Sequence, residues 1–372
     1  MMPRVLIAAG GTGGHVFPAL AVAQTLRQQG WHAEWVGTDR GLESRVIPDA
    51  GIGLHILRFT GLRGKGLSAW LGLPLRLTRA LMDALAIVRH ARPSVVVAFG
   101  GYVTFPVGLA ARLRRIPLCI HEQNAVMGTA NRWLARIATR VMVSFPATRF
   151  APATSVLIGN PVRESILQLP DLAQRAADRT GGLRVLVMGG SLGATALNQS
   201  LPDCFAETTR QGQRLSIRHQ TGQKDLDAVR QRYRQLGLDA DCTAFIRDMD
   251  AAYAWADLVI CRAGASTVTE VAAAGLPAVF VPLPSAIDDH QTANARYLAD
   301  HEAAWLIRQA DLTTDAVVIA SSALVKRLVS LTRGICVQVG TRARERAMRD
   351  AAHQAAQQVV QAAGSCDQER SR

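Results

Sequence analysis

The sequence predicts an α/β protein made of two similar domains, each a doubly wound parallel sheet with helices on both faces. Three observations carry this. Short apolar runs alternate with helical patterns along most of the chain, the signature of strand–helix–strand units. The stretch VLIAAGGTGGH near the start can be laid over VLVMGGSLGAT near the middle, so a strand, a glycine turn and a helix are repeated. At 372 residues the chain is also longer than one ordinary core supports.

In the first half, Val5–Ala9 reads as a strand, a helix follows to Gln29, and His32–Gly37 is the second strand. Ile52–Phe59 leads into Gly61-Leu-Arg-Gly-Lys-Gly66. Val95–Phe99 runs into Gly100-Gly101-Tyr102 and the helical Val107–Leu113. Leu118–His121 and Val141–Ser144 are the next strands. The rhythm breaks around Gly159-Asn160-Pro161-Val162-Arg163, and Leu169–Thr180 is polar and helical. Leu183–Met188 opens the second half, followed by the strands Leu215–Gln220, Cys242–Phe245, Leu258–Cys261 and Ala278–Val281. Ser266–Ala274 reads as a helix stopped by Gly275 and Pro277. The expected domains are 1–163 and 164–341. A helix over 342–363 is expected to pack back on the first domain, and 364–372 to be a disordered tail.

Composition narrows the function. Hydrophobic residues at 49%, with 31 glycines and 15 prolines, suit a compact enzyme. Six scattered cysteines without a C-x-x-C pair argue against a zinc site or a disulfide frame. No run of eighteen apolar residues marks a spanning helix. The first strand begins at once, which leaves no room for a signal peptide and predicts a cytoplasmic chain. The net charge of +13 calls for an anionic partner. Aromatics are only 5%, and neither an RNP-like string nor a zinc-finger spacing is present, so nucleic acid is not the expected partner.

The chemistry is expected at strand ends. Gly10-Gly11, Gly100-Gly101 and Gly189-Gly190 each close an apolar run, and ligands of open parallel sheets bind at the carboxyl ends of strands. Two such sheets facing one another would offer anion sites on both walls of a cleft. Glycines let backbone approach a phosphate, and a helix N-terminus directs N–H groups at it. A dinucleotide fingerprint fails, because from Gly11 and Gly13 its third glycine position is Val16; Asp39 could still pass as its ribose-binding acid. Gly64-Lys65 lacks the rest of a Walker loop. Arg262-Ala-Gly-Ala-Ser-Thr-Val-Thr-Glu270 follows a strand and opens a helix, with Glu270 read either as a cap or as a ribose-hydroxyl acceptor. Asp248-Met-Asp250 has the form of a metal-binding D-x-D but reads better as loop, since hard cations want several convergent oxygens.

GGTGGHVFPALA, GLRGKG, HEQNAVMG, GNPVR, GGSLGA, CRAGASTVTE and PLPSAIDDHQTANA, in this order from about residue 5 to 350, resemble the peptidoglycan N-acetylglucosaminyltransferases of glycosyltransferase family 28. The resemblance implies a GT-B fold, two Rossmann-like domains with parallel sheets facing a central cleft. It implies transfer of GlcNAc from UDP-GlcNAc, with inversion, to the 4-hydroxyl of MurNAc-pentapeptide on undecaprenyl diphosphate. A diacylglycerol glycosyltransferase of the same fold is the alternative. Carried over by motif, UDP-GlcNAc would meet Ile246, Glu270, Ser191, Ala265, Ser266, Thr267, Val268, Thr269, Arg163 and Gln291. From the first domain it would meet Thr12, Gly13, Gly14 and Asn124. The acceptor diphosphate is expected at Gly10, Gly11, Gly100, Gly101 and Tyr102.

His15 is the candidate general base, with an ordinary pKa of about 6.5; the other reading is that it only bonds the turn. No cofactor and no tightly bound metal are implied. The implied partners are UDP-GlcNAc, the lipid-linked acceptor, an anionic membrane surface, and cell-wall synthesis and division proteins. The implied location is the cytoplasmic face of the bacterial inner membrane. Leu67–Val88, flanked by Arg63, Lys65, Arg76, Arg79 and Arg89, reads either as a helix packed on its own domain or as the membrane-facing patch.

Overall fold

The structure is a computed structural model that describes residues 2–59, 73–190, 193–315 and 318–370. The chain divides into two compact units, Met1–Arg163 with Met348–Arg372, and Glu164–Ala347.

Unit 1 holds a seven-stranded, wholly parallel sheet: β1 (Arg4–Ala9), β2 (His32–Gly37), β3 (Gly53–Ile56), β4 (Val95–Gly100), β5 (Leu118–Glu122), β6 (Arg140–Val143) and β7 (Val156–Leu157). Their order is β3-β2-β1-β4-β5-β6-β7. Sheets covered on both faces need strands that are apolar throughout. β1 complies, and its residues divide by parity. Val5, Ile7 and Ala9 join Val95, Val97 and Phe99 in one core, while Leu6 and Ala8 join Val96 and Ala98 in the other.

The first core is covered by α1 (Gly13–Gln28) through Val16, Ala19, Val22, Ala23 and Leu26, which recur at helical spacing. The same face takes Ala355, Ala356, Val359 and Ala362 of the last helix, Ala351–Arg370. The second core is covered by helix Leu73–Ala91, which turns Ala84, Val88 and Ala91 inward. β1 and β4 slip by one residue at their carboxyl ends: Ala8 pairs with Ala98, but Ala9 pairs with Gly100. Such a bulge re-aims the end of a strand.

Unit 2 holds a six-stranded parallel sheet in the order β10-β9-β8-β11-β12-β13. The strands are β8 (Leu183–Met188), β9 (Leu215–Gln220), β10 (Ala240–Thr243), β11 (Leu258–Cys261), β12 (Ala278–Phe280) and β13 (Trp305–Leu306). At the amino ends of β8 and β11 the fully buried Asp257 pairs with Arg179 and Arg333 and accepts the Arg184 N–H at 3.1 Å. Five cysteines are buried thiols, and burial pushes Cys119 up to about 12.

The two sheets bear out the expected fold class, and several boundaries differ from expectation. β10 lies two residues earlier than Cys242–Phe245, because its partner β9 ends at Gln220 opposite Thr243. The helix expected over 342–363 is two helices, Arg333–Glu345 and Ala351–Arg370. The Tyr297 hydroxyl donates to the Arg346 carbonyl at 2.5 Å, ending the first, and residues from Met348 on belong to unit 1. The last helix continues to Arg370, past Gly364, where a disordered tail was expected. A single glycine costs a helix only about 1 kcal/mol and does not stop it.

Candidate active site

In open parallel sheets the strand order reverses at one point, and ligands gather there beyond the carboxyl ends. In unit 1 the reversal lies between β1 and β4, the strands that end in Gly10-Gly11 and Gly100-Gly101. In unit 2 it lies between β8 and β11, whose ends carry Gly189-Gly190 and the start of helix Ala265–Ala273. The two duplicated motifs therefore occupy the equivalent place in each sheet.

In unit 1, Thr12 is exposed and extended (φ −102°, ψ 158°), and Gly13, Gly14 and His15 form the first turn of α1. The His15 ring is half-buried; its Nδ1 lies 3.4 Å from Thr12 Oγ1. Desolvation lowers its pKa below the usual histidine value, against upward pulls from a backbone hydrogen bond to Gly10 and from the charge of Glu43. At neutral pH the ring is thus an uncharged proton acceptor. β4 makes room for it only because it ends in glycine. A Cβ on Gly100 (φ +111°) would stand 2.5 Å from His15 Cδ2, and one on Gly101 (φ +87°) 2.3 Å from the Gly10 carbonyl oxygen. The double glycine of β4 thus serves the close approach of β4 to the β1 loop. Tyr102 beyond it is 45% exposed.

Asn124 follows β5 and is fixed by Glu122, whose Oε1 accepts its backbone N–H at 2.9 Å and its side-chain amide at 3.3 Å. Glu122 Oε2 also accepts from Gly128 N and Asn131 Nδ2, each at 2.9 Å. Burial raises the Glu122 pKa, while these hydrogen bonds pull it down. His121 is buried and uncharged, pushed down to about 4 by desolvation, with Nε2 2.9 Å from the Gly159 carbonyl. The HEQN stretch is therefore a buried polar frame that presents Asn124. Arg163 stands with its guanidinium 5.2 Å over the Phe17 ring of α1.

In unit 2, Ser191 and the Gly61–Gly66 loop of unit 1 lie outside the described residues, as do 67–72. Helix Ala265–Ala273 has Gly264 as its N-cap, with no side-chain cap. Ala265 and Val268 face the core; Ala265 can offer a ligand its backbone N–H, whereas that of Val268 is donated to the Gly264 carbonyl at 3.0 Å, and Ser266 and Thr267 are partly exposed. The Thr269 hydroxyl is within bonding distance of the Ala265 and Ser266 carbonyls (3.0 and 3.1 Å). Glu270 lies too far along the helix to cap it, and its Oε2 accepts the buried Tyr253 hydroxyl at 3.1 Å. Ile246 sits in the half-buried loop after β10. Gln291, near the start of helix His290–Ala299, pins the Leu283 N–H at 2.9 Å, after two left-handed residues, Asp288 and Asp289. Asp248 is the N-cap of helix Met249–Trp255, accepting from Ala251 N at 2.9 Å. The D-x-D is thereby explained as a helix start.

Two side chains carry no signal in the sequence, Glu43 and Tyr253; with Glu122 of the HEQN stretch, they touch the candidate residues from behind. The acid at the end of β2 that reaches the glycine loop is Glu43; Asp39 is exposed.

Two doubly wound parallel-sheet units with glycine loops at their reversal points are the architecture of the GT-B glycosyltransferases. The model of the glycosyltransferase family 28 N-terminal domain matches residues 5–143, and that of the family 28 C-terminal domain matches 184–354. The chain is 53% identical over 352 residues to the UDP-N-acetylglucosamine--N-acetylmuramyl-(pentapeptide) pyrophosphoryl-undecaprenol N-acetylglucosamine transferase of Bordetella parapertussis, covering 94% of this chain and 96% of the relative. It is 47% identical to the enzyme of that name from Ralstonia nicotianae, over 97% of each chain. The crystal structure of Acinetobacter baumannii MurG is similar with a TM-score of 0.80 at 40% identity, covering 96% of this chain and 99% of that one. The glycosyltransferase VinC, at 17% identity and TM-score 0.63, shares the fold. The chain belongs to glycosyltransferase family 28, within the family of these N-acetylglucosamine transferases.

The close approach of β4 to the β1 loop predicts that Gly101→Ala, which forces a side chain against the Gly10 carbonyl at positive φ, costs unit 1 about 2 kcal/mol or more. Thermal unfolding should show a midpoint lowered by at least about 4 °C. An unchanged midpoint would contradict the packing described.

Proposed function

We propose that this protein transfers GlcNAc from UDP-GlcNAc to the 4-hydroxyl of MurNAc-pentapeptide-pyrophosphoryl-undecaprenol, with inversion, giving the β-1,4-linked disaccharide lipid. The observation that carries the reading is the match, along nearly the whole of both chains, to transferases of that name. The glycine loop with a half-buried histidine supports it.

In this reading unit 2 binds the donor. The uracil meets the Ile246 backbone, Glu270 holds the ribose hydroxyls with Tyr253 fixing its carboxylate, and Gln291 contacts the sugar. The diphosphate takes the N–H groups of Ala265, Ser266 and Thr267 and the Ser191 hydroxyl, with Arg163, the last residue of unit 1, as its cation; the Val268 N–H is already donated to the Gly264 carbonyl at 3.0 Å and is not among its donors. Charge gathers on the leaving UDP, and a preorganised helix start stabilises it. Thr12, Gly13, Gly14 and Asn124 face the donor sugar, and the acceptor diphosphate lies against Gly10, Gly11, Gly100, Gly101 and Tyr102. Of these, the Gly11 N–H is already donated to Glu43, so it is not among the acceptor's donors.

His15 is the general base. As the acceptor oxygen bonds to the anomeric carbon and the bond to UDP breaks, the hydroxyl proton passes to the imidazole. Burial keeps that ring neutral and ready to accept it.

The membrane surface is assigned to the outward face of helix Leu73–Ala91 of unit 1, beside which a hollow of about 1390 Å³ is lined by Met2, Met82, Leu85, Arg89, Arg92 and Arg114. Met2 and Met82 are 65% and 62% exposed, and Arg76 and Arg79 lie outward on the same helix as Met82. Apolar side chains among cations suit an anionic headgroup layer. No helix among the described residues is long and apolar enough to cross a membrane.

His15→Ala should lower kcat by about 10²–10⁴ while UDP-GlcNAc still binds, as stopped turnover and calorimetry would show; near-normal turnover would make the residue structural. Because burial lowers the His15 pKa, the parent enzyme should keep its kcat/KM to more acidic pH than an ordinary histidine allows, the loss beginning below about 6.5. Glu270→Ala should act on the other ligand, raising the donor KM with little change in kcat. An unchanged donor affinity would remove the ribose role.

A further inference from the structure

Glu43 opens helix α2 (Glu43–Asp49) and is completely buried, an unusual place for a carboxylate. Its oxygens are all engaged by the ends of two strands. Oε1 accepts the Thr38 N–H at 2.9 Å and the Thr38 hydroxyl at 2.8 Å, and Oε2 accepts the Gly11 N–H at 3.0 Å. Backbone without side chains surrounds it: a Cβ on Gly10, Gly37 or Gly41 would come within 2.7 Å, 2.5 Å or 2.1 Å of its atoms. Three of the glycines at the tips of β1 and β2 are therefore explained by one carboxylate behind them.

The Gly11 N–H and the Gly10 carbonyl belong to the same peptide group. One end of that peptide donates to Glu43. The other is the backbone partner of the His15 ring, and its oxygen lies where a Cβ on Gly101 would clash. The ring's Nδ1 lies 3.4 Å from the Thr12 hydroxyl, Gly100 lies against its Cδ2 edge, and the charge that bears on it is that of Glu43.

We propose that Glu43 is a positioning residue for the transfer reaction, coupled to His15 through the Gly10–Gly11 peptide. The carboxylate polarises that peptide, the peptide carbonyl orients the imidazole, and the positive charge formed when His15 takes the acceptor's proton is balanced across the peptide bond. Chains of hydrogen bonds strengthen one another in this way inside proteins, and the arrangement does for His15 what a directly bonded carboxylate does in a Ser-His-Asp triad. The inference rests on the reading of His15 as the general base.

The test is Glu43→Gln, which keeps the shape and removes the charge. His15 is followed by NMR titration, alongside the pH profile of kcat and the affinity for UDP. The expected result is a His15 titration and an acid limb of kcat both moved to lower pH, with kcat on the plateau about tenfold lower, a part of the ~10²–10⁴ that a whole general base supplies. UDP affinity should be unchanged. A variant that loses thermal stability but leaves the His15 titration where it was overturns the proposal, making Glu43 a scaffold only. A titration that moves while the acid limb of kcat stays keeps the coupling and removes His15 as base. Should Glu43→Gln not fold, the unaltered protein gives the answer. The Gly11 amide proton should move downfield as His15 is protonated, and a Gly11 resonance indifferent to that titration overturns the coupling.

Discussion

The constraint on which unit 1 depends is the closeness of two strand ends. β1 and β4 are neighbours in the sheet and both turn at their carboxyl ends, and the bulge at Gly100 brings the second turn over the first. Only residues without side chains fit there, and the space left is filled by His15 on one side and Glu43 on the other. Phosphate contact is thus not needed to explain Gly10 or Gly101. The packing of a histidine and a carboxylate around one peptide explains them first, and whatever ligand arrives meets a surface already set.

In the proposed reaction the two units would divide the chemistry by what each loop offers. The turn after β1 presents a neutral histidine backed by negative charge, which suits removing a proton. The turn after β11 presents an uncapped helix start with small, partly exposed residues, which suits receiving the charge of a departing diphosphate.

Much of the fold was legible in the sequence. His32–Gly37, Leu183–Met188, Leu215–Gln220 and Leu258–Cys261 appear as read, because short apolar or alternating runs bounded by turns mark strands. The edge strands β7 and β13, two residues each, carry no pattern long enough to see. The end of β10 is set by where its partner stops, which leaves Phe245 57% exposed outside the sheet. Of the candidate site, the glycine turns and the Ala265 helix start were visible as motifs. Glu43 was not, because one acidic residue in Arg40-Gly-Leu-Glu43 looks like any helix start, and its burial follows from tertiary packing alone. The break between Glu345 and Ala351 was likewise invisible, since it depends on Tyr297, almost fifty residues away.

The proposed reaction joins a nucleotide sugar to a muramyl-peptide lipid. The most direct measurement mixes the purified protein with UDP-GlcNAc and a lipid-linked MurNAc-pentapeptide, in parallel with diacylglycerol, and follows UDP release and the lipid product by mass spectrometry. One UDP should be released for each β-1,4 disaccharide-lipid formed, with no transfer to diacylglycerol. No UDP release with the muramyl acceptor, or equal transfer to both lipids, would contradict it.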